Sequence, residues 1–371
     1  MHSLKVAIVA NINARKIDKR VIDAIAELIE ERKVRVIHTE RLFTSNSLND
    51  LKNIAKILVD FSFDIIFTAG GDGTFTQVVS AVMNLKPKQQ PTFGIIQLGT
   101  GNSMARALRV AYTGITMKSM ISDITSGELP KNAKARLKFA VAQELDRAVD
   151  DSVKVKQAIL RVNDYWTPFT GVGLDATVLH DYAIARRLLN RFSFISEKIR
   201  GPIDYAAAIS GITFWRYVLS GFPKVEIFAD HDDAFRLDRE GNRTDERIKP
   251  GGLIYRGSIS FCAASTIRYY GWGVNVFPQA KVLNGRFQLR FTNLGIPEMI
   301  PLIPSIILGE IEHDRIWDYA CKSIKIVLLG RAYFQIGGDL MPQQKEVRIN
   351  ISNIKVLQGS LSASPAPPVN V

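Results

Sequence analysis

Residues 68–79 read TAGGDGTFTQVV, and the apolar run FDIIFTA leads into them from Phe63. Gly70, Gly71 and Gly73 fall within four residues, so the chain there must turn sharply or let another group approach its backbone. An apolar strand, a glycine turn and then an amphipathic helix from about Thr74 to Asn84 is the join expected of a parallel α/β sheet. The same alternation extends on both sides. LKVAIVA from Leu4 reads as a strand and DKRVIDAIAELIEERK as a helix with Val21, Ile22, Ile25, Leu28 and Ile29 on one face. VRVIHT (34–39) is the next strand and NDLKNIAKILVDF the next helix. TFGIIQL from Thr92 is a further strand, ending in a second turn, GTGN, that feeds the helix SMARAL.

Beyond SGELP (126–130) the texture changes to short alternating segments, among them RLKFAVAQ, KQAILRVN, LIYRGSISFCAA, GRFQLRFT and EVRINISNIKVLQ. That spacing predicts an antiparallel sandwich or barrel. The expected organisation is a doubly wound, Rossmann-like α/β domain over 1–130 and a mostly antiparallel β domain over 131–360. A helical stretch of about 183–219, broken at Gly201-Pro202, is inserted in the second, and 361–371 is a disordered tail. The charged segment 230–252, DHDDAFRLDREGNRTDERIKPGG, reads as an exposed hairpin loop.

A chain of 371 residues exceeds one core comfortably. Its 48 basic and 36 acidic residues leave a net charge of +12, which points to an anionic partner. Cys262 and Cys321 form no spacing motif, so a disulfide framework is not expected and a reducing compartment is. The five histidines are scattered and suggest no metal site. No secretory signal is visible, and the longest apolar run, MIPLIPSIILG from Met299, holds two prolines and falls short of a membrane span. The expected location is cytoplasmic, with peripheral contact at the inner face of the membrane. A nucleic-acid partner is not expected, because the basic residues do not alternate with exposed aromatics.

Both glycine turns lie where a buried strand feeds a helix, the edge at which open α/β sheets bind ligands. Free amides at a helix start, and missing Cβ atoms, suit phosphate oxygens. Thr74 and Thr100 add hydroxyl donors. No Lys-Ser/Thr follows either turn, so neither is a Walker A loop, and neither is a GxGxxG fingerprint. Asp72 has two readings. It can hold Mg²⁺ or take a proton from an attacking hydroxyl beside the phosphates, or it can cap the helix beginning near Thr74.

GGDGT at 70–74 and GTGN at 99–102 resemble the nucleotide-binding signatures of the diacylglycerol kinase catalytic domain superfamily, which includes sphingosine and ceramide kinases. NINARK from Asn11 sits where that family carries an Asn-Pro-x-Ser-Gly-like loop. Thr39 falls where it has a nucleotide-contacting threonine. GVGLDATV (171–178), YYGWGVNVFPQAKVLNGRFQL (269–289) and FQIGGD (334–339) resemble its second-domain segments, the last in place of Asp-Gly-Glu. The resemblance implies ATP- and Mg²⁺-dependent phosphorylation of a lipid hydroxyl, with ATP between the two domains. It implies nucleotide contacts from Asn11, Asn13, Thr39, Gly70, Gly71, Asp72, Gly73, Thr74, Gln77, Gly99, Thr100, Gly101 and Asn102. Asp72 is the expected metal-associated acid or base and Asp339 the second candidate base.

The chain departs from the pattern at Ser103 and Asn284, where acids are usual, and at Gln77, where Glu is common. Gly337-Gly338-Asp339 loses the first acid of Asp-Gly-Glu and shortens the last. Losing a methylene moves a carboxylate about 1.5 Å, a misplacement that can cost roughly 10²-fold in rate. A nucleotide-binding pseudoenzyme and an NAD kinase-like enzyme are therefore alternatives to the lipid kinase. The lipid would be met at an anionic membrane surface. Ile184, Leu188, Phe192, Ile195 and Ile199 share one helical face flanked by Arg187, Arg191 and Lys198, a pattern of interfacial helices. A homodimer stays open.

Overall fold

The computed structural model describes residues 4–14, 16–33, 39–99, 101–110, 113, 131–189, 212–270, 274–280, 283–311 and 313–359. They fall into two compact units. One contains the described residues up to Gln157 and from Asn353 onward, the other Ala158–Tyr270 and Val274–Ser352.

The first unit is the α/β unit. Its strands β1 (Lys5–Asn11), β2 (Thr39–Ser45), β3 (Ile65–Gly70) and β4 (Thr92–Gln97) lie in the order β2–β1–β3–β4, all parallel. Every residue of β3 and β4 is buried, as continuous apolar runs in a doubly wound sheet require. Helix α1 (Lys19–Lys33) buries Val21, Ala24, Ile25, Leu28 and Ile29, with Ile22 partly buried against the same core. Helix α2 (Leu48–Asp60) starts at Ser47, whose hydroxyl accepts the Asp50 amide at 3.1 Å. Helix α3 (Asp72–Met83) follows the first glycine turn and α4 (Ser103–Ala107) the second.

Three expectations need correction here. RLKFAVAQ is not a strand but part of a helix, α5 (Lys131–Arg147), which packs Leu137, Val141 and Leu145 into the core it shares with α1. Those residues recur every four positions, and this helical period prevails over the local alternation. The described chain therefore stays with the first unit up to Gln157 rather than leaving it at 130. The second strand is TERLFTS, starting at Thr39, while residues 34–38 of the expected strand lie outside the described ones. As an edge strand, β2 exposes Thr39 and Arg41, which makes it less apolar than a buried strand.

The second unit is built of antiparallel sheets, as expected. One runs β10–β9–β14–β13–β12–β7–β16–β17, from Arg243–Ile248 (β10) and Ala234–Leu237 (β9) through Ile316–Cys321 (β14), Phe287–Thr292 (β13), Phe261–Ser265 (β12) and Phe169–Gly173 (β7) to Phe334–Ile336 (β16) and Asp339–Met341 (β17). In the other, β15 (Ser323–Leu328) lies between β8 (Lys224–Ala229) and the start of β18 (Glu346–Leu357). Val225, Ile227 and Ile326 from one sheet share a core with Leu289, Phe291 and Phe334 from the other, so the sandwich is real. The charged segment expected as a loop forms the β9–β10 hairpin, with the guanidinium groups of Arg243 and Arg286 each 4.7 Å from the centre of the Phe235 ring.

The helical stretch expected from 183 begins earlier, as α6 (Leu174–Leu189), and α7 (Phe214–Ser220) lies at its far end. Phe192, Ile195, Ile199, Arg191, Lys198 and the Gly201-Pro202 break lie outside the described residues, as do the side chains of Arg187 and Leu188 and the tail 361–371. Buried Asp181 joins α6 to α7, accepting Thr213 Oγ1 at 2.9 Å and Arg216 Nη2 at 2.6 Å. Among the described residues no helix is long and apolar enough to cross a membrane.

Gly71 and Gly99 dock the two glycine turns backbone to backbone. A Cβ on Gly99 would lie 2.1 Å from the Gly71 Cα, and one on Gly71 would lie 2.8 Å from the Gly101 carbonyl oxygen. Gly99→Ala is therefore expected to cost about 1–3 kcal/mol or more, as overpacking does, read by urea unfolding; an unchanged midpoint would mean that the turns are not in contact. Cys262 and Cys321 are fully buried and burial pushes both thiols far up. A thiol reagent should modify neither in the native protein and both after unfolding.

Candidate functional site

In the order β2–β1–β3–β4 the direction of winding reverses between β1 and β3, and the loops leaving their carboxyl ends diverge there. The residues on that edge are tied together. Asn11, the last residue of β1, donates from Nδ2 to Thr74 Oγ1 at 3.2 Å, while its Oδ1 accepts the Asn13 amide at 3.0 Å. Asn13 Nδ2 in turn reaches the Asn46 carbonyl, just past β2, at 2.8 Å. Gly70 ends β3, Gly71 is the N-cap of α3, and Gly73 and Thr74 lie in its first turn. The first-turn amides of a helix have no partner within it and can receive an anion where no other group takes them. Gln77 sits half-buried one turn further on.

The acid within the first glycine turn has a definite structural use. Asp72 Oδ2 accepts the Ser103 amide at 2.9 Å and Oδ1 the Met104 amide at 3.0 Å. These are the first two residues of α4, and the Asp72 amide reciprocates by donating to the Gly101 carbonyl at 3.2 Å. Asp72 thus does not cap its own helix; it caps the neighbouring one and clamps Gly99, Gly101 and Asn102 against Gly70 and Gly71. Burial pushes its carboxyl above the ordinary range, and the two amides oppose that shift.

The same geometry corrects the expected metal role. The side chain is buried and both oxygens are engaged by amides, a poor fit to a Mg²⁺ ligand. Among the described residues no three of His, Cys, Asp and Glu are grouped to hold a metal. Thr39 is also misplaced for a nucleotide contact. It pairs with Lys5 at the amino end of the sheet, whereas Asn11 pairs with Ser45. Six residues at about 3.3 Å each put it some ~20 Å from the edge that carries the turns. Thr100 lies outside the described residues.

In the second unit, Gly337 and Gly338 form the two-residue turn between β16 and β17, with Ile336 paired to Asp339. Their φ angles are 59° and 89°, the left-handed pair that a tight hairpin of this kind needs. Asp339 is half-buried and is the first residue of the outgoing strand. The turn is anchored from beneath. The Gly338 amide donates to Gln335 Oε1 at 2.8 Å, and Gln335 Nε2 donates to Asp175 Oδ2 at 3.2 Å and to the Tyr270 hydroxyl. Tyr270 donates its proton to the same Asp175 oxygen. Burial pushes both the Asp175 carboxyl and the Tyr270 hydroxyl up.

Sequence reasoning passed over these three residues as site residues. Each stood within a recognised stretch, Asp175 in 171–178, Tyr270 in 269–289 and Gln335 in 334–339, but no local signal joined them. Asn284 lies in an exposed turn with Gly285, whose φ is 65°.

Residues 5–132 match the family Diacylglycerol kinase catalytic domain. Over 61 residues the chain is 43% identical to a diacylglycerol kinase of Bacillus subtilis (strain 168), covering 16% of this chain and 20% of that protein. Over 68 residues it is 32% identical to a diacylglycerol kinase of Staphylococcus saprophyticus, covering 18% of this chain and 22% of that one. The chain thus spans about a fifth of the length of these curated relatives. A crystal structure of a diacylglycerol kinase from Bacillus anthracis str. Sterne is similar over 97% of this chain and 98% of its own, with a TM-score of 0.53 and 14% identity. At that identity the likeness is one of fold. The paired glycine turns lie inside the segment 5–132, which is similar to the diacylglycerol kinase catalytic domain.

Proposed function

We propose that this protein transfers the γ-phosphoryl group of ATP to a primary hydroxyl of a lipid, either diacylglycerol or a sphingoid or ceramide-type lipid. The observation that carries the reading is the clamp of Asp72 across two glycine turns at the carboxyl edge of the sheet. It holds helix-start amides and the Thr74 hydroxyl on one edge, where polyphosphate oxygens can be received. Phosphoryl transfer asks a protein mainly for positioning and charge stabilisation. Mg²⁺ would supply charge neutralisation, and it commonly binds through substrate phosphates and water with few protein ligands; Asp72 is not among them. Asp339 is the candidate base for the hydroxyl proton.

Access to lipid is read from the net charge of +12 and from α7, where Trp215 and Leu219 lie one turn apart with 55% and 82% of their surfaces exposed. The partner in this reading is an anionic membrane surface. A second reading, a nucleotide-binding pseudoenzyme, draws on one observation: glycine stands at 337 within a turn whose backbone favours it.

The test is transfer from γ-labelled ATP in mixed micelles to diacylglycerol, ceramide and sphingosine, with ATP binding measured alongside. Labelling of one lipid class is expected. ATP binding without transfer to any of the three would replace the kinase by the pseudoenzyme. Asp72→Ala should weaken ATP binding and transfer together, because it releases the amides of α4. Asp339→Asn should leave ATP affinity intact while lowering kcat by roughly 10²- to 10⁴-fold, the range of general base catalysis.

A further inference from the structure

The Gly337-Gly338-Asp339 turn could be held by its own backbone alone, yet a buried polar chain reaches it from two distant segments. Gln335 is 1% exposed. Its oxygen accepts the Gly338 amide, and its nitrogen spans Asp175 and Tyr270, 160 and 65 residues away in sequence. The room for this meeting is made by Gly171, where a Cβ would lie 2.3 Å from Asp175 Oδ2 and 2.6 Å from the Tyr270 hydroxyl oxygen. Tyr270 is fixed in turn by Phe169, Phe261 and Phe277, whose ring centroids lie 4.8, 6.0 and 5.5 Å from its own. Every bond in the chain has a determined direction. Tyr270 has one proton and gives it to Asp175, so it can only accept from Gln335, and the Gln335 amide is thereby oriented with its oxygen toward Gly338.

We infer that Asp175 and Tyr270 orient the Gln335 side chain so that it fixes the hairpin turn presenting Asp339, which makes Gln335 a positioning residue for the candidate base. The inference rests on the reading of Asp339 given above. It also accounts for how a chain lacking the first acid of the usual Asp-Gly-Glu can keep the last one in register. With Gly at both turn positions the backbone has more conformations to lose, and an anchor on the second turn residue removes that freedom. An aspartate arm is one methylene shorter than a glutamate arm, so little remains in the side chain to absorb a displaced backbone.

The test uses the full chain labelled with ¹⁵N-glycine, together with the lipid kinase assay. Gln335→Leu removes the acceptor of the Gly338 amide. It should shift that amide resonance and speed its hydrogen exchange, and lower kcat by roughly 10²-fold, the loss associated with misplacement of about 1 Å, at unchanged KM for ATP. Combined with Asp339→Asn it should add little further loss, because both changes act through one carboxylate. Tyr270→Phe, which leaves the Gln335 acceptor in place, should fall between wild type and Gln335→Leu. An undisturbed Gly338 amide in a folded Gln335→Leu protein would overturn the inference, as would losses that simply multiply in the double variant. Full activity of Asp339→Asn would instead remove the base reading, and the Gly338 amide would still decide whether Gln335 holds the turn.

Discussion

Two hydrogen bonds into one buried carboxylate, from the Ser103 and Met104 amides to Asp72, hold the candidate phosphate edge in shape. Without them two glycine turns would face each other with no side chain between them. Glycine lets backbones meet closely but contributes no packing of its own. Hydrogen bonds to a charged group are worth about 1.5–3 kcal/mol each, enough to offset part of the cost of burying the acid. The acid thus has a mechanical use in the turn, and Thr74 lies in the first turn of the helix that it opens. Asn11, reaching Thr74 from β1, and Asn13, reaching Asn46 beyond β2, extend the same arrangement across the strands.

The second unit uses the same device twice. Asp175 collects Tyr270 and Gln335, and Asp181 collects Thr213 and Arg216, every donor lying at least 32 residues from its acid. A low local dielectric makes such groups costly when unpaired and rigid when paired. Asp175 acts through Gln335 on the turn that carries Asp339, and Asp181 joins α6 to α7, at the two ends of the segment with the interfacial pattern.

Where the sequence reading and the structure part, the cause is non-local. RLKFAVAQ alternates like a strand, but Leu137, Val141 and Leu145 face a core completed by α1, which no local window contains. Thr39 lies beside the apolar VRVI run, and only pairing with Lys5 reveals that it begins β2 at the wrong edge for a ligand. The segment around Phe235 is charged enough to read as a loop, yet its arginines stack on that ring, its strands pair with each other, and β9 pairs with β14.

What the sequence determined by itself was the α/β unit, the β-rich unit after it and the paired glycine turns. Each is written in local signals: apolar runs, period-two alternation, and glycine where a Cβ cannot fit. The role of Asp72 was beyond it, because a carboxylate in a glycine turn can equally cap, bind metal or bridge. The choice depends on which amides another strand and helix bring within about 3 Å, a hydrogen-bond distance. The Gln335 anchor was equally invisible, since its partners sit 65 and 160 residues away. Only folding brings them together, and burial then makes their pairing obligatory.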